Sequence, residues 1–193
     1  MRKDNHRRKN ILQTKYTRDK KTKAYIFEIQ VDQYSDLFND LDPSPLKRRD
    51  LDQDFITYLE ESSYDIPLQN QIVLHIYIPE DVRNKEQENR VISGLKTYYN
   101  FLLMTMNHQI SISYKNFIIY LCISLSLLFT GFYLGSKISE NFLLQTLVEG
   151  FYIGGWVFFW EAIALLAFKT RELRDSSRRY NRISNAGILF FNK

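Results

Sequence analysis

Hydrophobic positions fall into two unlike patterns along this chain. Between Tyr25 and Ile78 they alternate or cluster briefly, interrupted by Pro and Asp; between Phe117 and Phe168 they run almost unbroken. Phe117–Gly135 (FIIYLCISLSLLFTGFYLG) contains no charge. After Ser136–Asn141, a second run over Phe142–Phe168 carries only Glu149 and Glu161. A helix needs about 20 mainly apolar residues to cross a bilayer, and both runs reach that length. The short break between them is long enough to reverse direction. The pattern predicts a transmembrane helical hairpin over 116–168.

The flanking segments predict a small domain of strands and helices. Tyr25, Phe27, Ile29 and Val31 recur at period two, which predicts a strand over Tyr25–Val31. Pro43 and Pro45 bar a regular helix in Asp36–Asp52. Asp52 can cap a short helix over Gln53–Ser63 that turns Phe55, Ile56 and Leu59 inward. Gln71–Ile78 is apolar on both faces, the mark of a central strand, and Pro79 stops it. From about Glu80 a long helix places Val91, Leu95, Tyr99, Leu102 and Met106 at helical spacing, with Glu86 and Arg90 as a favourable i,i+4 pair on its wet face. The pattern leaves open whether this helix continues into the first span. Gly187–Phe191 (GILFF) is too apolar for a free tail and too short for a helix. Two strands alone make a marginal sheet, so this segment is expected to supply a third. The expected fold class is α+β: a small cytoplasmic β-sheet with helices, an inserted two-helix transmembrane hairpin and a C-terminal strand. The expected domains are a basic disordered tail (1–24), a cytoplasmic domain with the long helix (25–115), the hairpin (116–168), and a basic helix with the closing strand (169–193).

Charge sharpens this picture. Residues 1–24 hold ten Lys/Arg against two Asp, and residues 25–110 hold seven Lys/Arg against fifteen Asp/Glu. Mean hydropathy is −0.33, that of a hydrophilic chain holding a hairpin rather than of a many-span transporter. Residues 1–24 lack apolar periodicity and are expected to be unstructured. They suit anionic lipid, where each basic residue contributes on the order of 1 kcal/mol. Nucleic acid is not an expected partner, because only Tyr16 is interleaved as a stacking aromatic. The hydrophilic start predicts no signal peptide, leaving the first apolar run as the insertion signal. Positive charge flanks both outer ends of the hairpin, while its tip has Lys137 against Glu140. Both termini are therefore expected in the cytoplasm.

The block LFNDLDPSPLKRRDLD, the later strand ending in IPE, and the span EGFYIGGWVFFWEAI followed by an Arg-rich helix resemble a family of bacterial hypothetical two-span membrane proteins, over residues 25–193. The resemblance implies a multi-pass protein of the bacterial inner membrane. It carries no activity and no catalytic residue to transfer.

Motifs for chemistry are sparse. Asp50, Asp52, Asp54 and Glu61 imitate positions 1, 3, 5 and 12 of a calcium loop, but Phe55 stands where the sharp turn needs glycine. Capping and dipole complementation explain these acids better. The lone Cys122 excludes an internal disulfide and a cysteine metal cluster. Five of the seven glycines lie in the spans, so neither a phosphate loop nor a G-x-S-x-G elbow can be built outside them. Lys47, Arg48 and Arg49 could hold a phosphate or a partner carboxylate, though a solvated turn accounts for them better. No cofactor, metal or catalytic residue is expected.

Within the hairpin, Gly150, Gly154, Val157 and Glu161 share one face of the second span, and Ser124, Leu128, Gly131 and Gly135 form the matching face of the first. Small faces pack helices in lipid by close approach, here within one chain or between copies. Glu161 is the intramembrane polar residue of interest, as a proton- or ion-sensing group, a pore-lining group, a clasp to Tyr120 or Ser124, or a side chain that snorkels to the interface. Glu149 lies nearer the outer end. Arg171, Arg174, Arg178 and Arg182 form a basic stripe, with Lys169 and Arg179 beside it, suited to anionic headgroups. The functional expectation is a membrane protein whose cytoplasmic domain interacts with or regulates a protein partner. A pore-forming homo-oligomer and a membrane-tethered enzyme are the alternatives.

Overall fold

The computed structural model describes residue 12 and residues 14–44, 49–137 and 142–193. The elements run β1 (Tyr25–Gln30), a 3-10 turn (Tyr34–Leu37), α1 (Gln53–Asp65), β2 (Ile72–Ile78), a second 3-10 turn (Glu80–Val82), α2 (Lys85–Gly135), α3 (Phe142–Ala164), a π-helical turn (Leu165–Lys169), α4 (Thr170–Ser184) and β3 (Gly187–Asn192). The fold is α+β and mostly helical. It divides into two compact units, Met1–Met104 with Ser177–Lys193, and Thr105–Ser176. The second unit reaches further in sequence than the apolar runs do.

The first unit is built on a three-stranded sheet of order β1-β2-β3, parallel throughout. Parallel neighbours need long crossovers. One is supplied by α1, and the other is the whole stretch from α2 to α4. β2 is central, as its two apolar faces require: Ile72, Leu74, Ile76 and Ile78 are buried, while Val73, His75 and Tyr77 are half-buried. The C-terminal strand exists in the expected place and pairs with β2 from Val73↔Gly187 to Ile78↔Asn192. Phe27, Leu59, Leu74, Ile76, Ile78, Leu95 and Tyr99 are among the fully buried side chains of the core. Each such aliphatic or aromatic side chain contributes about 1.5–3 kcal/mol relative to exposure.

Local chemistry fixes the element ends. Asp52 caps α1, its Oδ1 accepting from the backbone N–H of Asp54 at 2.9 Å and of Phe55 at 3.0 Å. Asp50 belongs to a turn instead: its N–H donates to Asp42 Oδ2, and its carbonyl accepts from Asn39 N–H. The long helix begins at Lys85 rather than at Glu80, because Asn84 caps it through Oδ1, which accepts from Glu86 N–H at 2.9 Å. From there α2 is a single helix to Gly135, so the domain helix and the first apolar run are continuous.

Two expectations need correction here. Residues 1–24 were expected to lack structure, yet Leu12 and Tyr16 are buried in the core. Tyr16 packs against Phe27 with ring centroids 5.6 Å apart, and its hydroxyl donates to Asp65. Leu12 and Tyr16 stand one helical turn apart, Tyr16 N–H donating to the Leu12 carbonyl at 3.0 Å, and this one apolar pair suffices to dock the segment. Residues 1–11 lie outside the described residues, as do Lys47 and Arg48.

Arg182 is the second correction. It was expected on a lipid-facing stripe, but it is half-buried beside the end of α1. Its guanidinium donates to the carbonyls of Ser63, Ile66, Pro67 and Asn70 and to Ser63 Oγ. Helix ends leave carbonyls unpaired, and a fork of donors satisfies several of them at once.

Candidate functional site: the helical hairpin

The second unit contains two helices long and apolar enough to cross a membrane. They pack along a stripe that repeats every seventh residue of α3: Val148, Gly155 and Ala162 are its buried positions. Gly155 is the point of closest approach. A Cβ built there would lie 2.6 Å from Leu128 Cγ and 3.3 Å from the Leu128 backbone nitrogen. Beside it, Ser124 Oγ donates to the Gly155 carbonyl at 2.8 Å, and both partners are buried. On the first span the expected small residues do serve the contact. A Cβ at Gly131 would meet Phe151 Cβ at 3.2 Å, and one at Gly135 would meet Val148 Cγ1 at 3.3 Å.

On the second span the packing face differs from the expected one. A Cβ at Gly150 would meet nothing within 4 Å, and one at Gly154 would meet only Leu127 Cδ1, at an ordinary 3.5 Å. The Gly150–Gly154 step therefore stands off the intrachain contact, and adjacent Gly155 takes its role. Spacing alone did not separate two glycines one residue apart. The seven-residue recurrence of Val148, Gly155 and Ala162 was the signal to follow.

Glu161 lies on the side of α3 away from this contact and is exposed, as is Glu149. Neither expected clasp forms: Ser124 is engaged by Gly155, and Tyr120 packs against Phe158 with centroids 5.9 Å apart. Glu161 instead stands on the exposed outer face of α3, beside Tyr152, Ile153, Trp156, Val157 and Trp160.

A polar feature without sequence signature sits near the base of the hairpin. Thr170 Oγ1 donates to the Leu165 carbonyl at 2.9 Å and lies 3.0 Å from Ser113 Oγ, with both residues buried. The Thr170 backbone N–H bonds to the same carbonyl, five residues back, and closes the π-helical turn. That turn inserts one extra residue between the buried stripe at Ala162 and the next buried position, Thr170. It rotates the inward face by about one residue's turn, roughly 100° for a helix of 3.6 residues per turn.

The basic residues divide. Lys169 and Arg171 are exposed. Arg174 donates to the Tyr114 hydroxyl, with its guanidinium 5.6 Å from that ring's centroid. Arg178 is exposed and engaged within the fold. Together with Arg182, they do not form one free stripe.

No group of three or more His, Cys, Asp or Glu among the described residues is placed to hold a metal ion. His75 is half-buried on β2 against Phe191, 4.7 Å between centroids, and burial draws its pKa below the usual histidine value. The chain matches no family model, no curated protein and no solved structure. The resemblance to bacterial two-span proteins therefore rests on its motif residues alone.

Proposed function

We propose that this chain is an integral membrane protein of a bacterial inner membrane, held by the α2–α3 hairpin with both termini in the cytoplasm. Its α+β unit serves as an interaction or regulatory module for a protein partner, with membrane lipid around the hairpin. The observation that carries this reading is the exposure of the hairpin's apolar surface. In the most apolar window of each helix only 11% is buried, whereas a core helix of a soluble protein is mostly buried. Phe129, Phe132, Phe142, Leu143, Ile153 and Trp160 all stand outward. Apolar surface on this scale has to be covered by lipid or by protein. A helical hairpin also satisfies its own backbone groups, as a lipid environment demands. The charge asymmetry about the apolar runs supports the orientation.

Alkaline extraction and reporter fusions test this. The chain should stay with the membrane pellet at high pH. A periplasmic reporter should be active when fused after Lys137 and silent at Met1 or Lys193. Release into the supernatant overturns the anchoring. Activity at either terminus with none after Lys137 overturns the orientation.

The outward position of Glu161 favours a second reading, in which copies associate and the carboxylate lines a pore. Purified protein in liposomes would then pass ions, and Glu161→Gln would abolish the flux. Absence of flux at high protein density removes this reading.

A further inference from the structure

A trough runs between the two helices of the hairpin, near its base. Phe117 and Leu121 of α2 form one wall, and Phe159 and Ile163 of α3 form the other, with the small side chains of Ala162 and Ala167 leaving the space between them open. The trough holds about 290 Å³ and is lined by no charged residue. Its end nearer the base is the π-helical turn, which carries Ala167. Tyr114, Phe117 and Leu121 stand at i, i+3 and i+7, so they share one face of α2 and the trough leads down to Tyr114. Arg174 is held there. Its guanidinium donates to the Tyr114 hydroxyl and lies 5.6 Å from that ring's centroid. Arg174 is exposed, and so is Arg171, its neighbour three residues earlier on α4. A guanidinium carries five donors, so most remain for a ligand, and the Tyr114 hydroxyl keeps a proton to donate. Glu172 is two residues from Arg174, about 200° around the helix, and faces the other way.

We propose that this trough binds one acyl chain of an anionic phospholipid, whose phosphate is held by Arg174 and Arg171 together with the Tyr114 hydroxyl. The proposal rests on the reading of the hairpin as membrane-embedded. Two unlike chemistries set end to end select the occupant. The trough takes hydrocarbon, and the guanidinium at its end takes an anion, with a planar fork that matches phosphate oxygens. Free phosphate would satisfy the arginines and leave the trough empty. A zwitterionic lipid brings an ammonium that the same arginines repel. Contact with Tyr114 holds Arg174 in place before the lipid arrives, which reduces the freedom lost on binding. Tyr114 and Arg174 lie just outside the apolar runs, where aromatic and basic side chains meet headgroups. The result is a site for one lipid, distinct from the diffuse pull of a basic segment toward an anionic surface.

Full-length protein in dodecyl maltoside micelles is titrated with phosphatidylglycerol, or with phosphatidylcholine of the same acyl chains, and bound lipid is counted by native mass spectrometry. One phosphatidylglycerol should bind per chain along a saturating curve, at least tenfold more tightly than phosphatidylcholine. Arg174→Gln and Ala167→Phe should each weaken it at least tenfold, the first by removing the charge and the second by filling the trough. Both positions are exposed, so neither change opens the core, and circular dichroism checks that the helices persist. Lys137→Gln removes the same charge at the hairpin tip and should leave the affinity unchanged. Millimolar inorganic phosphate should not displace the lipid. Equal weakening by Lys137→Gln and Arg174→Gln overturns the proposal in favour of diffuse charge attraction. Full affinity in Ala167→Phe also overturns it, as does displacement by phosphate, which assigns the arginines to a free anion. A crosslinkable dimer that excludes the lipid gives the trough to a second copy of the chain. The anchoring fails separately, by release at high pH: a chain that stays in the alkaline pellet without preferring phosphatidylglycerol keeps its anchor and loses this site.

Discussion

Gly155 carries more of the hairpin's geometry than any other single residue. A methyl group there meets Leu128 Cγ at 2.6 Å and the Leu128 backbone nitrogen at 3.3 Å, so a rotamer change alone does not relieve it. Overpacking of this kind costs about 1–3 kcal/mol. Gly155→Ala should destabilise the hairpin by that amount in mixed-micelle unfolding. Gly150→Ala, with nothing within 4 Å, should stay within about 0.5 kcal/mol of wild type. The reverse order would place the contact on the Gly150–Gly154 face. Glu60 provides a second test at this scale. Burial raises its pKa, with the Tyr180 side chain opposing. The folded chain then holds this proton more tightly than the unfolded one, so stability falls as pH rises from the ordinary value of 4.5 to the raised one. Above that window the penalty is constant. Glu60→Gln should therefore raise the Tm at pH 7 and lose the advantage near pH 3. Equal Tm differences at both pH values would contradict the assignment.

Among elements, the junction of α4 with the end of α1 is the most consequential. Arg182 supplies donors to carbonyls of Ser63, Ile66, Pro67 and Asn70. A hydrogen bond to a charged group contributes about 1.5–3 kcal/mol, and the acceptors lose a shared donor together. Arg182→Ala should lower the unfolding midpoint of the full chain by the equivalent of about 2–3 kcal/mol. Arg182→Lys should recover part of this, since an ammonium is a compact donor without the planar fork. Full recovery by lysine would reduce the role to charge. This residue also marks where sequence stopped being informative. The strands, the Asp52 cap and both apolar helices were legible because period and capping are local. Whether an arginine on a basic helix meets lipid or a helix end depends on what lies across from it, and no local pattern records that. The π-helical turn was equally hidden: Thr170, whose N–H and hydroxyl both bond to the Leu165 carbonyl, meets Ser113 from a position far apart in sequence. Leu12 and Tyr16 were missed because one apolar pair on a single helical turn is too short to register as a period.

At the scale of the molecule, the sheet is completed only by β3. Lys193 N–H continues the ladder to the Ile78 carbonyl at 3.0 Å, and Arg83 donates to the Phe190 carbonyl at 3.1 Å and to Asn192 Oδ1 at 2.8 Å. Deleting residues 187–193 should uncover one edge of β2 and make the stretch from β1 to β2 sensitive to protease in membranes, with faster amide exchange across Ile72–Ile78. Unchanged proteolysis and exchange would deny β3 its structural role. The late position of β3 also sets a schedule for biosynthesis. At roughly 5–20 residues per second, translation of everything between β2 and β3 takes on the order of ten seconds. Throughout that interval a nascent chain presents an unpaired parallel edge, a surface prone to pairing with other chains. A ribosome that stalls anywhere in the hairpin leaves this edge open for good. Closure of the sheet thus acts as a receipt that both long helices have been made, and a truncated product stays visible to the proteases and chaperones that recognise unfinished folds.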